Sequence, residues 1–117
     1  MLTTKTKKEL KMFLGRFGHS AAYAKDENVI YIFAGQQEHV GGKTTSARDF
    51  QNDLWRLCLS TGKYERQMIS HMMGLSRRIY CTSFIISQFI FAVGGLSVDG
   101  NCLSEILMID TERKFCR

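Results

Sequence analysis

A nearly repeated segment is the feature that most limits what this chain can fold into. Residues 29–35 read VIYIFAG, and residues 89–95 read FIFAVGG, 60 positions later. Arg16 and Arg78 recur at almost the same distance, 62 positions apart. Recurrence at a fixed period indicates a repeat architecture in which each repeat is one supersecondary unit. The sequence therefore predicts two units of the same kind.

Short apolar runs with period two fill each unit. Such alternation, bounded by Gly, Asn, Asp and Ser, predicts β-strands joined by short turns. Asp53 and Glu105 occupy matching places 52 positions apart, as do Tyr64 and Phe115 at 51 positions. The predicted strands are HSAAYAK (19–25), VIYIFAG (29–35), DLWRLCL (53–59) and KYERQMI (63–69), followed by CTSFIIS (81–87), FIFAVGG (89–95), SEILMID (104–110) and the stub KFCR (114–117). Each unit is expected to be a four-strand meander.

The composition is that of a folded domain without an evident nucleic-acid surface. Hydrophobic residues make up 44% and charged residues 23% of the 117 positions, which is enough apolar material for one core. The net charge of +5 owes much to Lys5, Lys7, Lys8 and Lys11. Lysines and arginines are not interleaved with aromatic residues on any predicted face, so nucleic-acid binding is not predicted.

The cysteine spacing and the N-terminal residues favour a reducing compartment. The four cysteines form no C-x-x-C pair, so reduced thiols are predicted rather than a zinc site. The N-terminal segment carries charges where a signal peptide needs an uninterrupted apolar stretch. No apolar run approaches the length of a membrane-spanning helix. We therefore expect a cytoplasmic protein, with the cytoskeleton as one place of association.

The motifs on these strands resemble the kelch repeat. The family's order is an arginine and His-Ser opening, an apolar strand ending in glycines, an Asn-Asp segment and a closing aromatic residue. In the second unit the same places hold Arg78, Gly94-Gly95, Ser104-Glu105-Ile106 and residues 111–115. In the first unit they hold RFGHS (16–20), IYIFAG (30–35), NDLW (52–55) and TGKY (61–64).

This resemblance implies an all-β fold of kelch-type β-propeller blades, with two four-stranded antiparallel sheets in an incomplete ring. Residues 1–15 are expected to be a basic N-terminal tail or latch strand. Residues 16–71 are expected to be the first kelch-like repeat, and residues 72–117 the second, with a truncated outer strand. Propellers close with about four to eight blades. The chain is therefore expected to belong to a longer propeller or to associate with itself.

Three positions depart from the family pattern. Ala34 stands where the family has the first of two glycines, and Gly35 alone is expected to supply the positive φ that leaves the strand. Tyr64 and Phe115 stand where the family usually has Trp. Both are expected to fill the aromatic position between blades.

Residues for catalysis are not evident. Some kelch proteins that resemble galactose oxidase are copper oxidases, and these need a cluster of Tyr, His and Cys ligands. His19, His39 and His71 lie at unrelated places in the repeat, and His19 is expected to hydrogen-bond within its blade. Neither a phosphate-binding loop nor a G-x-S-x-G nucleophile motif is present. We predict no enzyme, no catalytic residue, no cofactor and no metal site.

Partner recognition is the function that the resemblance implies. Kelch propellers commonly bind proteins on one rim, through the loops between the second and third strands and the start of the first strand. Carried onto this sequence, the partner-binding residues are Arg16, Phe17, Gln36, Gln37, His39, Arg48, Asp49, Arg77, Arg78, Tyr80, Ser97, Asp99 and Asn101. Arginines at a rim suit carboxylate-bearing peptides. The alternative for Arg16 and Arg78 is structural, as ion pairs with Asp53 and Glu105.

The expected function is thus a non-enzymatic scaffold or adaptor that binds a partner protein through rim loops. The partner's identity is open, and further copies or the remaining blades are additional expected partners. Two alternatives come from other classes. One is a fragment of a kelch-containing enzyme such as a galactose-oxidase-like oxidase, and the other is a structural subunit that completes a larger propeller.

Overall fold

The fold is all-β. The computed structural model describes residues 15–37, 51–70 and 77–117, and within these ranges it contains strands and turns but no helix. The strands are β1 (Arg16–Phe17), β2 (Ser20–Ala24), β3 (Val29–Phe33), β4 (Gln36–Gln37), β5 (Leu54–Cys58), β6 (Lys63–Gln67), β7 (Arg78–Ile79), β8 (Thr82–Ile86), β9 (Phe89–Val93), β10 (Leu96–Ser97), β11 (Ile106–Asp110) and β12 (Phe115–Cys116). The part of the chain described thus has no helix that could cross a membrane.

Two four-stranded antiparallel sheets form the body of the fold, as the sequence predicts. Sheet 1 has the order β2-β3-β5-β6, and sheet 2 has the order β8-β9-β11-β12. Each is a meander, because every strand pairs with the strand that precedes it in its own sheet. Two further ladders, β1 with β4 and β7 with β10, were not predicted.

Alternation of side chains decides which face of each sheet is buried. In β2, Ser20, Ala22 and Ala24 are buried while Ala21 and Tyr23 are exposed. Successive side chains of a strand point to opposite faces, so the buried set marks one face of sheet 1. We call this face the core face of sheet 1. It packs on the core face of sheet 2, which includes Ile90, Ala92, Leu107 and Ile109.

The two sheets meet most closely along their first strands, β2 and β8. The Cys81 thiol, just before β8, donates to the Ser20 hydroxyl at 3.5 Å. The largest fully buried apolar side chains of this core are Phe33, Leu54, Ile90, Ile109 and Val29. Small residues in β2 leave room for this close approach.

Positive backbone φ angles recur at matching places in the two units. Before the first strand of each sheet, Gly18 has a φ of 67° and Tyr80 a φ of 60°. The remaining matched pairs are Ala34 and Gly94, Gly35 and Gly95, and Gly62 and Lys114. Because L-residues other than Gly, Asn and Asp rarely adopt this conformation, its recurrence shows that the two units share one backbone path.

Ala34 corrects one expectation. We expected Gly35 alone to supply the positive φ, but Ala34 has a φ of 63°, close to the 69° of Gly94. Both positions therefore lie in the left-handed region. The Ala34 methyl group is fully buried in the core, which offsets part of the backbone cost.

The register of β12 corrects the expectation that Phe115 occupies the place of Tyr64. Tyr64 pairs with Leu57 in sheet 1, and the matching pair in sheet 2 is Cys116 with Ile109. Cys116, not Phe115, therefore occupies the place of Tyr64, at an offset of 52 rather than 51 positions. A shift of one residue moves a side chain to the other face of a strand. Phe115 accordingly points away from the position assigned to it.

The segment after β6 crosses to the second sheet. Ser70 forms a parallel bridge with Phe115. Its backbone N–H donates to the Lys114 carbonyl at 2.9 Å and its carbonyl accepts from the Cys116 N–H at 3.2 Å. The end of the first unit, at Ser70, thus pairs with the outer strand of sheet 2 and ties the units together.

Candidate functional site

The two short ladders lie at one end of the sheets and form a surface that we call the rim. It comprises residues 16–18, 36–37, 77–80 and 96–101. Arg16 and Phe17 pair with Gln37 and Gln36 in the first unit, and the second unit has the same arrangement. The units adjoin here, because the Tyr80 N–H donates to the Gly18 carbonyl at 2.7 Å. The rim brings together predicted residues that are distant in sequence.

Arg16 is held inside the first unit. Its guanidinium donates to the two carboxylate oxygens of Asp53, at 2.7 Å to Oδ1 and 3.3 Å to Oδ2, and to the Ala34 carbonyl at 3.1 Å. The Trp55 indole N–H donates to the same carboxylate at 2.6 Å. The side chains of Arg16 and Asp53 are only 2% and 9% exposed. This residue has the structural role that the sequence offered as its alternative.

Arg78 repeats the arrangement in the second unit. It forms an ion pair with Glu105, and it donates to the Gly94 carbonyl at 3.5 Å. The Arg78 side chain is fully buried, whereas that of Glu105 is 45% exposed. Each ion pair ties the start of its unit to the residue before the third strand of its sheet. The two arginines thereby anchor the short ladders of the rim to the two sheets.

The exposed part of the rim is aromatic and polar. Phe17 is 48% and Tyr80 is 60% exposed. Arg77, Asp99 and Asn101 are exposed beside them along the chain, Gln37 and Ser97 are half-buried, and Gln36 is buried. His39, Arg48 and Asp49 lie outside the described residues. A binding role for the exposed residues stays a prediction.

Tyr80 stands out among these residues. It adopts a φ of 60°, where the first unit has Gly18 at 67°. A left-handed conformation costs a bulky L-residue about 1–2 kcal/mol. Its ring approaches Gly18 from one side, but most of the ring remains exposed. Sequence reasoning placed Tyr80 in the site and missed its strain, because no local motif marks the residue as left-handed.

A second polar region lies between the sheets at the end opposite the rim. It is a cavity of about 540 Å³ whose lining includes Glu27, Tyr31, Arg56 and Lys114. The Tyr31 hydroxyl donates to Glu27 at 3.2 Å, and burial together with that carboxylate raises the pKa of Tyr31. Lys114 donates to the Gln67 amide oxygen across the two sheets. The Lys114 contact joins the two sheets, whereas the Tyr31 contact lies within the first unit.

Cys58 is expected to be a reactive thiol at the same end. The Ser60 hydroxyl lies 3.2 Å from the Cys58 sulfur. Hydrogen bonds from Ser60 and then Thr61 lower the pKa of Cys58 to about 7, because they stabilise the thiolate. Iodoacetamide labelling followed by mass spectrometry should therefore show a rate that rises with pH and is half-maximal near pH 7. Ser60→Ala should move this midpoint upward, and an unchanged midpoint would refute the assigned cause.

Metal-ligand types do not cluster in the part of the chain described. No group of three or more His, Cys, Asp and Glu side chains comes close enough there to hold an ion. The His19 ring, expected to hydrogen-bond within its blade, is exposed and makes no hydrogen bond to a described residue. The four cysteines are free thiols.

Comparison with protein-family models found no match to this sequence. Comparison with curated proteins found none either.

Proposed function

We propose that this chain is part of a kelch-type β-propeller that serves as a non-enzymatic scaffold or adaptor and binds a partner protein through the rim. The kelch assignment is supported by the repeated motifs and by the two meanders with matching ion pairs. The remaining blades would come from a longer chain or from further copies. A cytoplasmic location is part of the proposal, since all four cysteines are unpaired.

The strained and exposed Tyr80 is the observation that carries the binding role. Residues held in unfavourable φ/ψ regions persist where the surroundings or the function require them. The first unit shows that glycine fits this backbone position, because Gly18 has nearly the same φ. Burial does not explain a tyrosine here, since its ring is 60% exposed. Contact with a partner does explain it.

The chemistry of the rim suits a protein partner. Tyrosine and phenylalanine provide large, rigid contact areas and are enriched at the centres of protein interfaces. Phe17 and Tyr80 would be these anchors, with Gln37, Asp99 and Asn101 as polar contacts around them. Arg77 is the exposed arginine of the described rim, so it would take the carboxylate of a partner peptide.

Peptide selection tests the proposal. The purified chain is immobilised and used to select from a displayed library of random peptides, and the selected peptides are synthesised. Tyr80→Ala should weaken their binding at least about tenfold, the loss expected when an aromatic anchor is removed. Leu59→Ala removes an exposed apolar side chain in the turn after β5, 43% exposed, and should leave binding unchanged. Equal binding to both variants would contradict a rim site.

A further inference from the structure

Sheet 2 turns an exposed apolar face away from sheet 1. Phe84, Phe91 and Met108 form one row across its strands, and the two phenylalanine rings stack with centroids 5.2 Å apart. Val93 and Ile106 pair beside this row. Ile106 is 65% and Phe84 is 46% exposed. We call this surface the outer face of sheet 2.

The matching face of sheet 1 is its core face, and it is covered by sheet 2. A face of this kind therefore packs against a neighbouring sheet. Leu54 is 1% exposed, whereas Ile106 at the same place in sheet 2 is 65% exposed. Phe33 is likewise 1% exposed, and Val93 at its place is 38% exposed. Sheet 1 buries these residues because the core face of sheet 2 lies on them. Among the described residues, no corresponding neighbour covers the matching face of sheet 2.

Sheet 1 has the complementary surface. Tyr23, Ile30, Leu57 and Tyr64 form a row across all four strands on the side facing away from sheet 2. We call this row the outer face of sheet 1. Tyr23 is 52% and Tyr64 is 45% exposed, Ile30 and Leu57 are half-buried, and Ile32 and Trp55 in the next row are buried. In sheet 2 the same places belong to the core face and are held by Ile85, Ile90, Ile109 and Cys116.

We propose that the outer face of sheet 2 binds the outer face of sheet 1 of a second copy of this chain. The contact would repeat, between copies, the packing that already joins the two sheets within one copy. It is head-to-tail, so different surfaces of each copy meet, and repetition leads to a ring or an open filament. Exposed apolar surfaces of this kind mark interaction sites in soluble proteins. The inference is independent of the rim proposal.

Charge supports the same pairing. A groove of about 650 Å³ on the outer face of sheet 2 has Arg113, Arg117 and the carboxylate of Asp110 in its lining. Within one copy, the turn between β8 and β9 faces the part of sheet 1 that corresponds to this groove of sheet 2. In the second copy the matching turn joins β2 to β3 and carries Asp26 and Glu27. The groove would thus be positive overall, because its two arginines outnumber Asp110. The turn would be negative overall, because Asp26 and Glu27 outnumber Lys25.

Light scattering coupled to size exclusion is the first test. The purified chain has a mass of 13.4 kDa as a single copy. At high protein concentration the measured mass should be at least twice this value, and it should fall on dilution. A mass of one copy at every concentration would overturn the proposal.

A mixing experiment identifies the surfaces. One variant, Phe84→Lys with Ile106→Lys, places charges on the outer face of sheet 2. The other, Tyr23→Lys with Tyr64→Lys, does so on the outer face of sheet 1. Each variant alone should have the mass of one copy. An equal mixture should have the mass of two copies, because the first variant keeps an intact sheet 1 face and the second an intact sheet 2 face.

The control applies the same change of charge elsewhere. Leu59→Lys with Val98→Lys alters two exposed apolar residues in turns, 43% and 42% exposed, and should assemble like the parent. Circular dichroism checks that every variant is folded, and the single changes Ile106→Lys and Tyr23→Lys replace any double variant that is not. If the sheet 1 variant still assembles alone, or if the mixture stays at one copy, the head-to-tail pairing is wrong.

Discussion

Asp53→Asn is expected to lower the free energy of unfolding by about 3–5 kcal/mol, the usual cost of removing one partner of a buried ion pair. The carboxylate accepts from the Arg16 guanidinium at 2.7 Å and from the Trp55 indole at 2.6 Å. An amide in its place has one acceptor and one donor, so its N–H₂ group faces a donor of Arg16 or Trp55. The Arg16 charge would then be buried without its counter-ion.

Urea unfolding followed by circular dichroism measures this loss. A protein of this size is marginally stable by about 5–15 kcal/mol, so the variant should unfold at a much lower urea concentration. Glu65→Gln makes the same chemical change in an exposed pair, 3.9 Å from Arg56 with the Glu65 side chain 59% exposed. It should cost less than about 1 kcal/mol. Equal losses in the two variants would show that the buried pair is not stabilising the unit.

Gly95→Ala is expected to cost at least about 2 kcal/mol, through backbone strain and overpacking together. Gly95 has a φ of 106°, which is outside the range that a residue with a Cβ normally adopts. An added Cβ would also lie 2.8 Å from the Ile79 carbonyl oxygen and 3.2 Å from the Cys81 Cβ. These neighbours belong to the start of the second unit, so they have little freedom to move.

Gly100→Ala separates the two causes. Gly100 has a φ of 82°, but an added Cβ there meets no atom within 4 Å. It should show only the backbone cost, about 1 kcal/mol. Thermal unfolding compares the two variants with the parent. If Gly95→Ala were no less stable than Gly100→Ala, the close approach at Gly95 would not constrain the fold.

The sequence was sufficient to predict the seven five-residue strands, the two-residue outer strand of sheet 2, and their order. The reason is physical, since alternation in segments such as Ser20–Ala24 and turn residues such as Gly62 specify the sheet locally. The pairings of Arg16 with Asp53 and of Arg78 with Glu105 were also available from the sequence as an alternative, because each unit has an arginine at its start and a carboxylate at the matching place before its third strand. The propeller itself stays a proposal.

Other features were beyond sequence reasoning for equally physical reasons. A ladder such as Arg16–Phe17 with Gln36–Gln37 is too short to show a period. The outer strand of sheet 2 is a two-residue strand, so nothing in its pattern reveals that Cys116 rather than Phe115 matches Tyr64. The predicted rim residues also differ in burial, which the sequence does not show. Ion pairs hold the arginines in the interior, whereas Tyr80 is exposed.

Tyr80→Gly is the change that most directly tests the binding role of the rim. The measurement is the affinity of the selected peptides for this variant and for the parent, with the free energy of unfolding determined on the same samples. The account predicts at least about tenfold weaker binding and a stability equal to the parent or up to about 1 kcal/mol higher, since glycine relieves the left-handed strain. Unchanged affinity together with lower stability would contradict it, and would make Tyr80 a packing residue that covers Gly18.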